Sequence, residues 1–375
     1  MTETTHKQMA FIDGSRLITE ACVQAGAEVF VGYPITPANL LYSYANQRYP
    51  AMMAAPDEIT TLQWMTGYAS LGKLPVTATS FPGYALMIES INMAMMMELP
   101  MVIILVQRLG PATGTATNGA QGDLNVVYGT VSGGFQLPTF CISNMQDCWD
   151  MSVKAVETAL NLRTPVVLLT SKEMVMTQMS FDLEKLKPIS KQAWKLFNNE
   201  MPYQSYGAGV DLVPGFLPVT QSEHQVRFTA STHNKEGILQ NTTPEALDNT
   251  RRLKAKLDLH ADDFLEYEYD PQEGADTLIF SFDITAQASR EAVQRLREEN
   301  QKVSLLIART IFPIPAMYHS LSSKYNHIII AEENLDGQYR HLLFGSHHAG
   351  HVVGVNAIGR MIQPEEIMKE VRKNG

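Results

Sequence analysis

Three polar side chains in the first third of the chain have types and positions suited to chemistry on a small acid. Arg108 directly follows the apolar run 101–106, and a guanidinium at the end of a buried strand needs an anion, either an internal carboxylate or that of a substrate. Thr36 offers a hydroxyl in a proline-rich turn. Glu58 lies in the first turn of a predicted helix, where its carboxylate either stabilises the helix N-terminus or does chemistry. The residues alone leave these alternatives open.

The segments that position these residues alternate between predicted strands and helices. We predict strands at 29–31, 76–79, 101–106, 139–142 and 165–170, and helices at 8–26, 39–44, 58–71, 84–98 and 147–162. This alternation is typical of a doubly wound parallel sheet, whose ligands bind at the carboxyl ends of the strands. The turns around Thr36, Ser80 and Arg108 all lie at such ends, so we expect them to converge on one site. The long loop from Gly110 to Asp123 is a candidate functional loop.

The chain divides into three parts by composition. Residues 1–180 hold the alternating strands and helices, and residues 181–274 are rich in Pro, Gly, Asn and charged runs. We interpret this middle part as an extended connecting arm with one helix at 244–257. Residues 275–375 form a second, smaller α/β unit with strands at 277–282, 303–308, 327–331 and 351–355.

Composition excludes several classes of protein. The net charge of −10 and the lack of a Lys/Arg stripe argue against a nucleic-acid surface. No apolar run is long enough to cross a membrane, and the first residues do not resemble a signal peptide, so we expect a cytoplasmic protein. The three cysteines are not spaced as an iron–sulfur or zinc framework.

Common catalytic motifs are also missing. The glycine clusters match neither GxGxxG nor GxxxxGK[ST], and Ser80 is not in a GxSxG elbow, which argues against a serine hydrolase. His347, His348 and His351 have no carboxylate or cysteine pair nearby, so we interpret them as loop histidines and predict no metal site in this chain.

Several motifs, in order and spacing, resemble those of the α subunit of 2-oxoacid:ferredoxin oxidoreductases. They are YPITP at 33–37, Asp57-Glu58, TSFPGYALM at 79–87, VQRLGP at 106–111 and QGDL at 121–124, with THNKEG at 232–237 in the connecting arm. The resemblance covers nearly the whole chain. It implies a thiamine-diphosphate pyrimidine-type domain followed by a smaller domain like the C-terminal domain of transketolases. It also implies oxidative decarboxylation of a 2-oxoacid to acyl-CoA and CO₂, with electrons passed through iron–sulfur clusters to ferredoxin.

The resemblance assigns roles to individual residues. Glu58 matches the glutamate that hydrogen-bonds N1′ of the aminopyrimidine, which favours the imino tautomer whose 4′-nitrogen acts as a base. Thr36 and Arg108 match residues that hold the carboxylate and carbonyl end of the substrate. Ser80 and Gly83 are expected to contact the cofactor with Glu58.

The resemblance also indicates what other chains must supply. The sequence has no GDG motif with the asparagines that would hold Mg²⁺ and the diphosphate, and no cysteine set for a cluster. A β subunit is therefore expected to bring the Mg²⁺ site and 4Fe–4S clusters, with γ and ferredoxin-like subunits completing the complex. The subunit number and the natural electron acceptor stay open, as does whether the second domain contacts CoA.

One departure from the family pattern concerns the substrate. Many 2-oxoglutarate-type α subunits carry Lys or Arg in the loop before QGD, whereas this chain has TNGA at 117–120. Either the side chain of the substrate is not an anion, as in 2-oxoisovalerate or phenylglyoxylate, or another chain supplies the charge. The STG-like spacing of 112–114 keeps 2-oxoglutarate slightly ahead.

Two alternatives remain at the level of sequence. A subunit of a lipoyl-linked 2-oxoacid dehydrogenase or a transketolase-like enzyme would share both folds. A non-catalytic thiamine-type fold could instead act as an assembly module.

Overall fold

The computed structural model describes residues 8–198, 202–221, 223–347 and 350–374. Its N-terminal part alternates strands and helices, as the sequence predicts. These elements are β1 (Met9–Ile12), α1 (Gly14–Ala25), β2 (Val29–Gly32), α2 (Asn39–Arg48), β3 (Ala51–Ala54), α3 (Glu58–Ser70), β4 (Pro75–Thr79), α4 (Phe81–Met96), β5 (Met101–Gln107), α5 (Leu124–Tyr128), β6 (Thr139–Cys141), α6 (Met145–Leu162), β7 (Pro165–Ser171), α7 (Lys172–Met176) and β8 (Met179–Asp182).

The connecting arm contains a single α-helix within its described residues, α8 (Pro244–Leu259), and short 3₁₀ turns at Leu183–Lys185 and Ala261–Phe264. The C-terminal part again alternates strands and helices. Its elements are β9 (Tyr267–Asp270), β10 (Thr277–Phe282), α9 (Thr285–Glu298), β11 (Val303–Ala308), β12 (Thr310–Phe312), α10 (Ala316–Ser322), β13 (His327–Glu332), α11 (Gln338–Phe344), β14 (Val352–Asn356) and α12 (Pro364–Asn374).

The larger sheet has seven strands in the order β12-β6-β7-β5-β4-β2-β3. Neighbouring strands are parallel except at the edge, where β12 pairs antiparallel with β6. Since β12 comes from the C-terminal part of the chain, this pairing joins the two α/β parts through backbone hydrogen bonds. The smaller sheet has the order β14-β13-β10-β11-β9 and is parallel except for β9.

The central strand β5 shows why the sequence folds in this way. All seven of its residues are buried, as expected for a parallel strand covered by helices on both faces. Helix α1 packs against α2, α6 and α7, whereas α3 packs against α4. The two helical groups therefore enclose a continuous apolar core around β5 and its neighbours.

The structure corrects the boundaries of several predicted elements. Residues 9–12 form a strand that pairs antiparallel with β8, so the helix predicted from residue 8 begins only at Gly14, after the Asp13 cap. Strands β3, β8, β9 and β12 are three or four residues long and were not predicted. Each is short or lies at a sheet edge, where the apolar pattern is weak.

Candidate active site

The turns that follow four neighbouring parallel strands form the candidate site. Strands β5, β4, β2 and β3 lie side by side in that order and run in the same direction. Their carboxyl ends therefore share one edge of the sheet. Arg108 follows β5, Ser80 follows β4, Thr36 lies in the turn after β2, and Glu58 comes after β3.

Arg108 and Thr36 are in direct contact. The buried Arg108 guanidinium donates a hydrogen bond from Nη1 to the backbone carbonyl of Thr36, at 2.5 Å. The Thr36 hydroxyl instead accepts a hydrogen bond from Asn39 at 3.3 Å. Arg108 Nε is buried and has no hydrogen-bond partner in the described chain. Nη1 thus fixes the turn, while Nε is available to donate a hydrogen bond to a ligand.

Glu58 and Gly83 also lie against each other. Asp57 caps helix α3 by accepting a hydrogen bond from Thr60 N–H at 2.7 Å, which places the buried Glu58 in the first turn. A Cβ at Gly83 would lie only 2.6 Å from Glu58 Oε1 and would also collide with the Thr79 hydroxyl. The absence of a side chain at Gly83 is therefore what lets the Glu58 carboxylate approach helix α4.

Ser80 occupies the N-cap position of α4 without capping it. The side chain is fully buried, and its hydroxyl has no partner among the described residues. The Ser80 carbonyl accepts a hydrogen bond from the Thr79 hydroxyl at 3.3 Å. An unpaired buried hydroxyl is costly, so its position next to Gly83 is compatible with a polar ligand at this turn.

The sequence-based candidates thus form two contacting pairs, Thr36 with Arg108 and Glu58 with Gly83. In the described parts of the chain no side-chain hydrogen bond joins one pair to the other. They are related by the shared sheet edge, where Ser80 and Gly83 follow β4, the strand between β5 and β2.

Asp123 is a site residue that we did not single out from the sequence, although the QGD motif contains it. Its carboxyl is buried, and Oδ2 has no hydrogen-bond partner in the described residues. Burial raises the pKa of Asp123 to about 7, and the positive charge of Arg108 opposes this rise. An acidic group that titrates near neutrality therefore stands beside the candidate substrate-binding arginine.

Two buried glutamines tie this site to the C-terminal part. Gln107, at the end of β5, donates to Asp283 Oδ2 at 2.9 Å. Gln121 bonds through both backbone and side chain: its N–H donates to the Glu333 carbonyl at 2.8 Å, its Oε1 accepts from Glu333 N–H at 2.6 Å, and its Nε2 donates to Phe282 O at 2.8 Å. The loop after β5 is thereby fixed to the loops after β10 and β13. Sequence shows the glutamines but not these partners.

A cleft of about 290 Å³ opens between the loop after β5 and the loop after β13. Asp123 and Glu333 are the two acidic residues of its lining, and burial raises the pKa of Glu333 to about 7. The complete lining is Phe81, Leu109, Gly110, Pro111, Ala120, Gly122, Asp123, Glu333, Asn334, Leu335, Gln338 and Ile358. The predicted functional loop 110–123 therefore forms one wall of a cleft between the two α/β parts.

Other candidate features are outside this site. Within the described ranges, no group of three or more His, Cys, Asp or Glu side chains is placed to hold a metal ion. His348 of the SHHAGH segment lies outside the described residues. Among the described helices none is both long and apolar enough to cross a membrane.

The fold and the residues at its sheet edge define an α/β protein of the thiamine-diphosphate-binding class. Residues 20–249 match the family model described as "Pyruvate flavodoxin/ferredoxin oxidoreductase, thiamine diP-bdg". This match covers more than half of the chain, which therefore belongs to that family. The fold is accordingly a thiamine-diphosphate pyrimidine-type domain with a smaller transketolase C-terminal-like domain, as predicted.

Comparisons with individual proteins agree with this assignment. The chain is 26% identical to "2-oxoglutarate synthase subunit KorA" of Methanocaldococcus jannaschii, over 97% of this chain and 99% of that one. It is 25% identical to "Ketoisovalerate oxidoreductase subunit VorB" of Methanothermobacter thermautotrophicus, over 96% of this chain and 97% of that one.

A solved structure titled "2-oxoglutarate:ferredoxin oxidoreductase from Magnetococcus marinus with 2-oxoglutarate, coenzyme A and succinyl-CoA bound" matches with a TM-score of 0.90 and 26% identity. The match covers 98% of this chain but only 65% of that longer one. The chain is an α-type subunit of a thiamine-dependent 2-oxoacid oxidoreductase, which confirms the sequence-based prediction.

Proposed function

We propose that this chain supplies the substrate-binding and aminopyrimidine-facing half of an active site that oxidatively decarboxylates a 2-oxoacid to acyl-CoA and CO₂. The observation that carries the proposal is the buried Arg108, which holds the Thr36 turn through Nη1 while Nε has no partner. A guanidinium with a free, desolvated N–H is a site for the carboxylate of a substrate. In this role Arg108 and the Thr36 hydroxyl orient the carboxylate and carbonyl end of the 2-oxoacid.

The surroundings of Glu58 fit an aminopyrimidine ring. Its buried carboxylate has no side-chain hydrogen bond or ion pair among the described residues, and any Cβ at Gly83 would push the Glu58 side chain out of place. Glu58 would hold a proton between its carboxylate and N1′ of the ring, and Ser80 and Gly83 would line the same turn. Thiamine diphosphate, when bound, supplies the carbon nucleophile and the electron sink for decarboxylation. Glu58 adds the carboxylate that such acid–base chemistry requires.

A partner subunit is part of this proposal. Helices α3 and α4 carry Glu58 and Gly83, and they expose large apolar side chains: Ile59 is 44% exposed, Trp64 37% and Leu86 51%. Apolar side chains on the outer faces of helices are typical of a surface that another protein covers. A β subunit seated there would bring the Mg²⁺ and diphosphate site and the 4Fe–4S clusters, and γ and ferredoxin-like subunits would complete a cytoplasmic complex.

The domain division is also proposed on these grounds. The pyrimidine-type unit ends near residue 180, the connecting arm runs to 274, and the C-terminal unit follows. The pairing of β12 with β6 and the bonds of Gln121 support a fixed arrangement of the two units around the cleft.

Reconstitution with the partner subunits tests the proposal. The purified chain alone should show no turnover, whereas the complex should reduce a viologen dye only when CoA and a 2-oxoacid are both present. Acyl transfer to lipoamide or to a sugar without dye reduction would contradict it and favour the lipoyl-linked or transketolase-like alternative.

A further inference from the structure

The cleft beside Arg108 has walls of a particular chemical character. Apolar groups from Phe81, Leu109, Pro111, Leu335 and Ile358 make up much of its lining. Its two ionisable residues are Asp123 and Glu333, and none of the described lining residues is Lys or Arg. The cleft is thus suited to apolar groups, and its described lining offers no positive charge to a second anion.

The cleft adjoins the candidate substrate-binding group. Leu109, the next residue after Arg108, is in its wall, and Asp123 both lines the cleft and interacts electrostatically with Arg108. Phe81, the first residue of α4, brings the wall to within two positions of Gly83. Arg108 itself is not part of the lining, so a 2-oxoacid held by Arg108 would reach this space by passing its side chain over Leu109 and Asp123.

The cation that acts on Glu333 is already paired with another carboxylate. Arg360 affects the pKa of Glu333, but its guanidinium forms a bidentate ion pair with Glu366 at 2.6 and 2.7 Å. Arg108 itself would be engaged by the first carboxylate of the substrate. A second carboxylate in the cleft would lose water and meet Asp123 and Glu333 without a compensating charge, which is unfavourable.

We propose that the cleft selects 2-oxoacids with an uncharged branched or aromatic side chain over those with a carboxylate side chain. Its volume of about 290 Å³ is just below the usual range for ligand pockets and has room for a small side chain of either kind, so the selection rests on charge and not on size. Of the two alternatives that the sequence left open, the cleft favours the 2-oxoisovalerate or phenylglyoxylate type over 2-oxoglutarate. This inference rests on the proposed function, because it assumes that Arg108 holds the substrate carboxylate.

The test uses the complete complex with CoA and a viologen dye. We expect kcat/KM for 2-oxoisovalerate or phenylglyoxylate to exceed that for 2-oxoglutarate by about 100-fold, because a site without a compensating cation discriminates strongly against a buried charge. Equal values, or a preference for 2-oxoglutarate, would overturn the inference but leave the proposed function intact. No turnover with any 2-oxoacid would contradict both.

A charge introduced at the cleft provides the second measurement. Leu335 lines the cleft and is 77% exposed, so Leu335→Arg adds a cation without disturbing the core. We expect this variant to raise kcat/KM for 2-oxoglutarate at least about 10-fold relative to 2-oxoisovalerate, by pairing the second carboxylate.

Two control variants separate the effect of a charge in the cleft from the effects of changing Leu335 and of adding a charge elsewhere. Leu335→Gln changes the same position without adding charge. Val210→Arg adds the same charge at a residue of the connecting arm that is 98% exposed and does not line the cleft. Neither should change the ratio. A change in the ratio as large in either control as in Leu335→Arg would overturn the inference.

Discussion

Two buried charged clusters in this chain differ in how fully their groups are paired. The anchor cluster consists of Glu98, Arg163, Arg252 and Lys256 and fixes helix α8 of the connecting arm to the first domain. Its Glu98 carboxylate pairs with Lys256 at 2.6 Å and with Arg252. Arg163 donates through Nη1 to three backbone carbonyls, although its Nη2 is unpaired.

The rim cluster consists of Ser80, Arg108 and Asp123 at the carboxyl edge of the sheet. Each member has a buried polar atom without a partner in the described chain: Ser80 Oγ, Arg108 Nε and Asp123 Oδ2. An unpaired buried polar group costs roughly 1–3 kcal/mol of stability, so folding alone does not account for three of them at one edge. We therefore interpret the anchor cluster as part of the fold, and we propose that the rim cluster binds a ligand.

The largest effect on stability is expected from the anchor cluster. Glu98→Gln would leave Arg163, Arg252 and Lys256 buried without their carboxylate, which should lower the free energy of unfolding by about 3–5 kcal/mol. Denaturant unfolding of the isolated chain measures this loss. A similar stability with an intact arm would show that the anchor cluster is not structural.

The pH dependence of this loss sharpens the test. The cationic neighbours of Glu98 outweigh its burial and lower its pKa to about 2, compared with 4.5 in the unfolded chain. Because the folded pKa is the lower one, the stabilisation is complete above about pH 4.5 and is lost as the pH falls towards 2. The difference between the wild type and Glu98→Gln should shrink over that window.

In the rim cluster, Arg108→Gln should lower activity far more than stability. We expect kcat/KM for the 2-oxoacid to fall about 100-fold or more, because a buried charge-assisted bond to the substrate is removed. The Tm of the chain should fall only slightly, because the hydrogen bond that Arg108 makes within the described chain is the one from Nη1 to the Thr36 carbonyl, and Nε makes none. A large loss of Tm with normal kcat/KM in the surviving fraction would assign Arg108 to the fold instead.

Much of this contrast depends on information that the sequence does not contain. The apolar run 101–106 predicts a buried strand, so the positions of Arg108, Ser80 and Thr36 at one sheet edge were predictable. The burial of Asp123 and the partners of Gln121 depend on the C-terminal part folding back onto the loop after β5, which local patterns do not encode. Similarly, residues 9–12 form a strand only because β8, far along the chain, pairs with them.

Thr36→Val is expected to have a smaller, more specific effect. Arg108 binds the backbone carbonyl of Thr36, which Val retains, so only the hydroxyl is lost. The KM for the 2-oxoacid should rise about 10-fold, as for the loss of one hydrogen bond, while thiamine diphosphate affinity stays nearly unchanged. Thr36→Ser should behave like the wild type. A fall in cofactor affinity instead would mean that this turn faces the cofactor.

The smallest effect is expected from Asp123→Asn, and it is measured as a change in Tm. Burial raises the folded pKa of Asp123 to about 7 from 3.8, so the folded state binds more protons than the unfolded state between these values. The wild type therefore loses stability as the pH rises from about 4 to 7. The Asn variant should have a Tm about 3 °C higher than the wild type at pH 8, and nearly the same Tm at about pH 3.5, below the unfolded pKa. A pH-independent difference would contradict the assigned burial.

The most direct test of the account is turnover by the reconstituted complex with Glu58→Gln in this chain. The control is Glu273→Gln, which makes the same change at an exposed position in the loop between β9 and β10, away from helices α3 and α4. If Glu58 is the carboxylate that faces the aminopyrimidine, its variant should lose about 10²–10⁴-fold in kcat while the complex stays assembled, and the control should keep full activity. A Glu58→Gln complex that assembles and turns over at the wild-type rate would contradict the account and favour a non-catalytic assembly module.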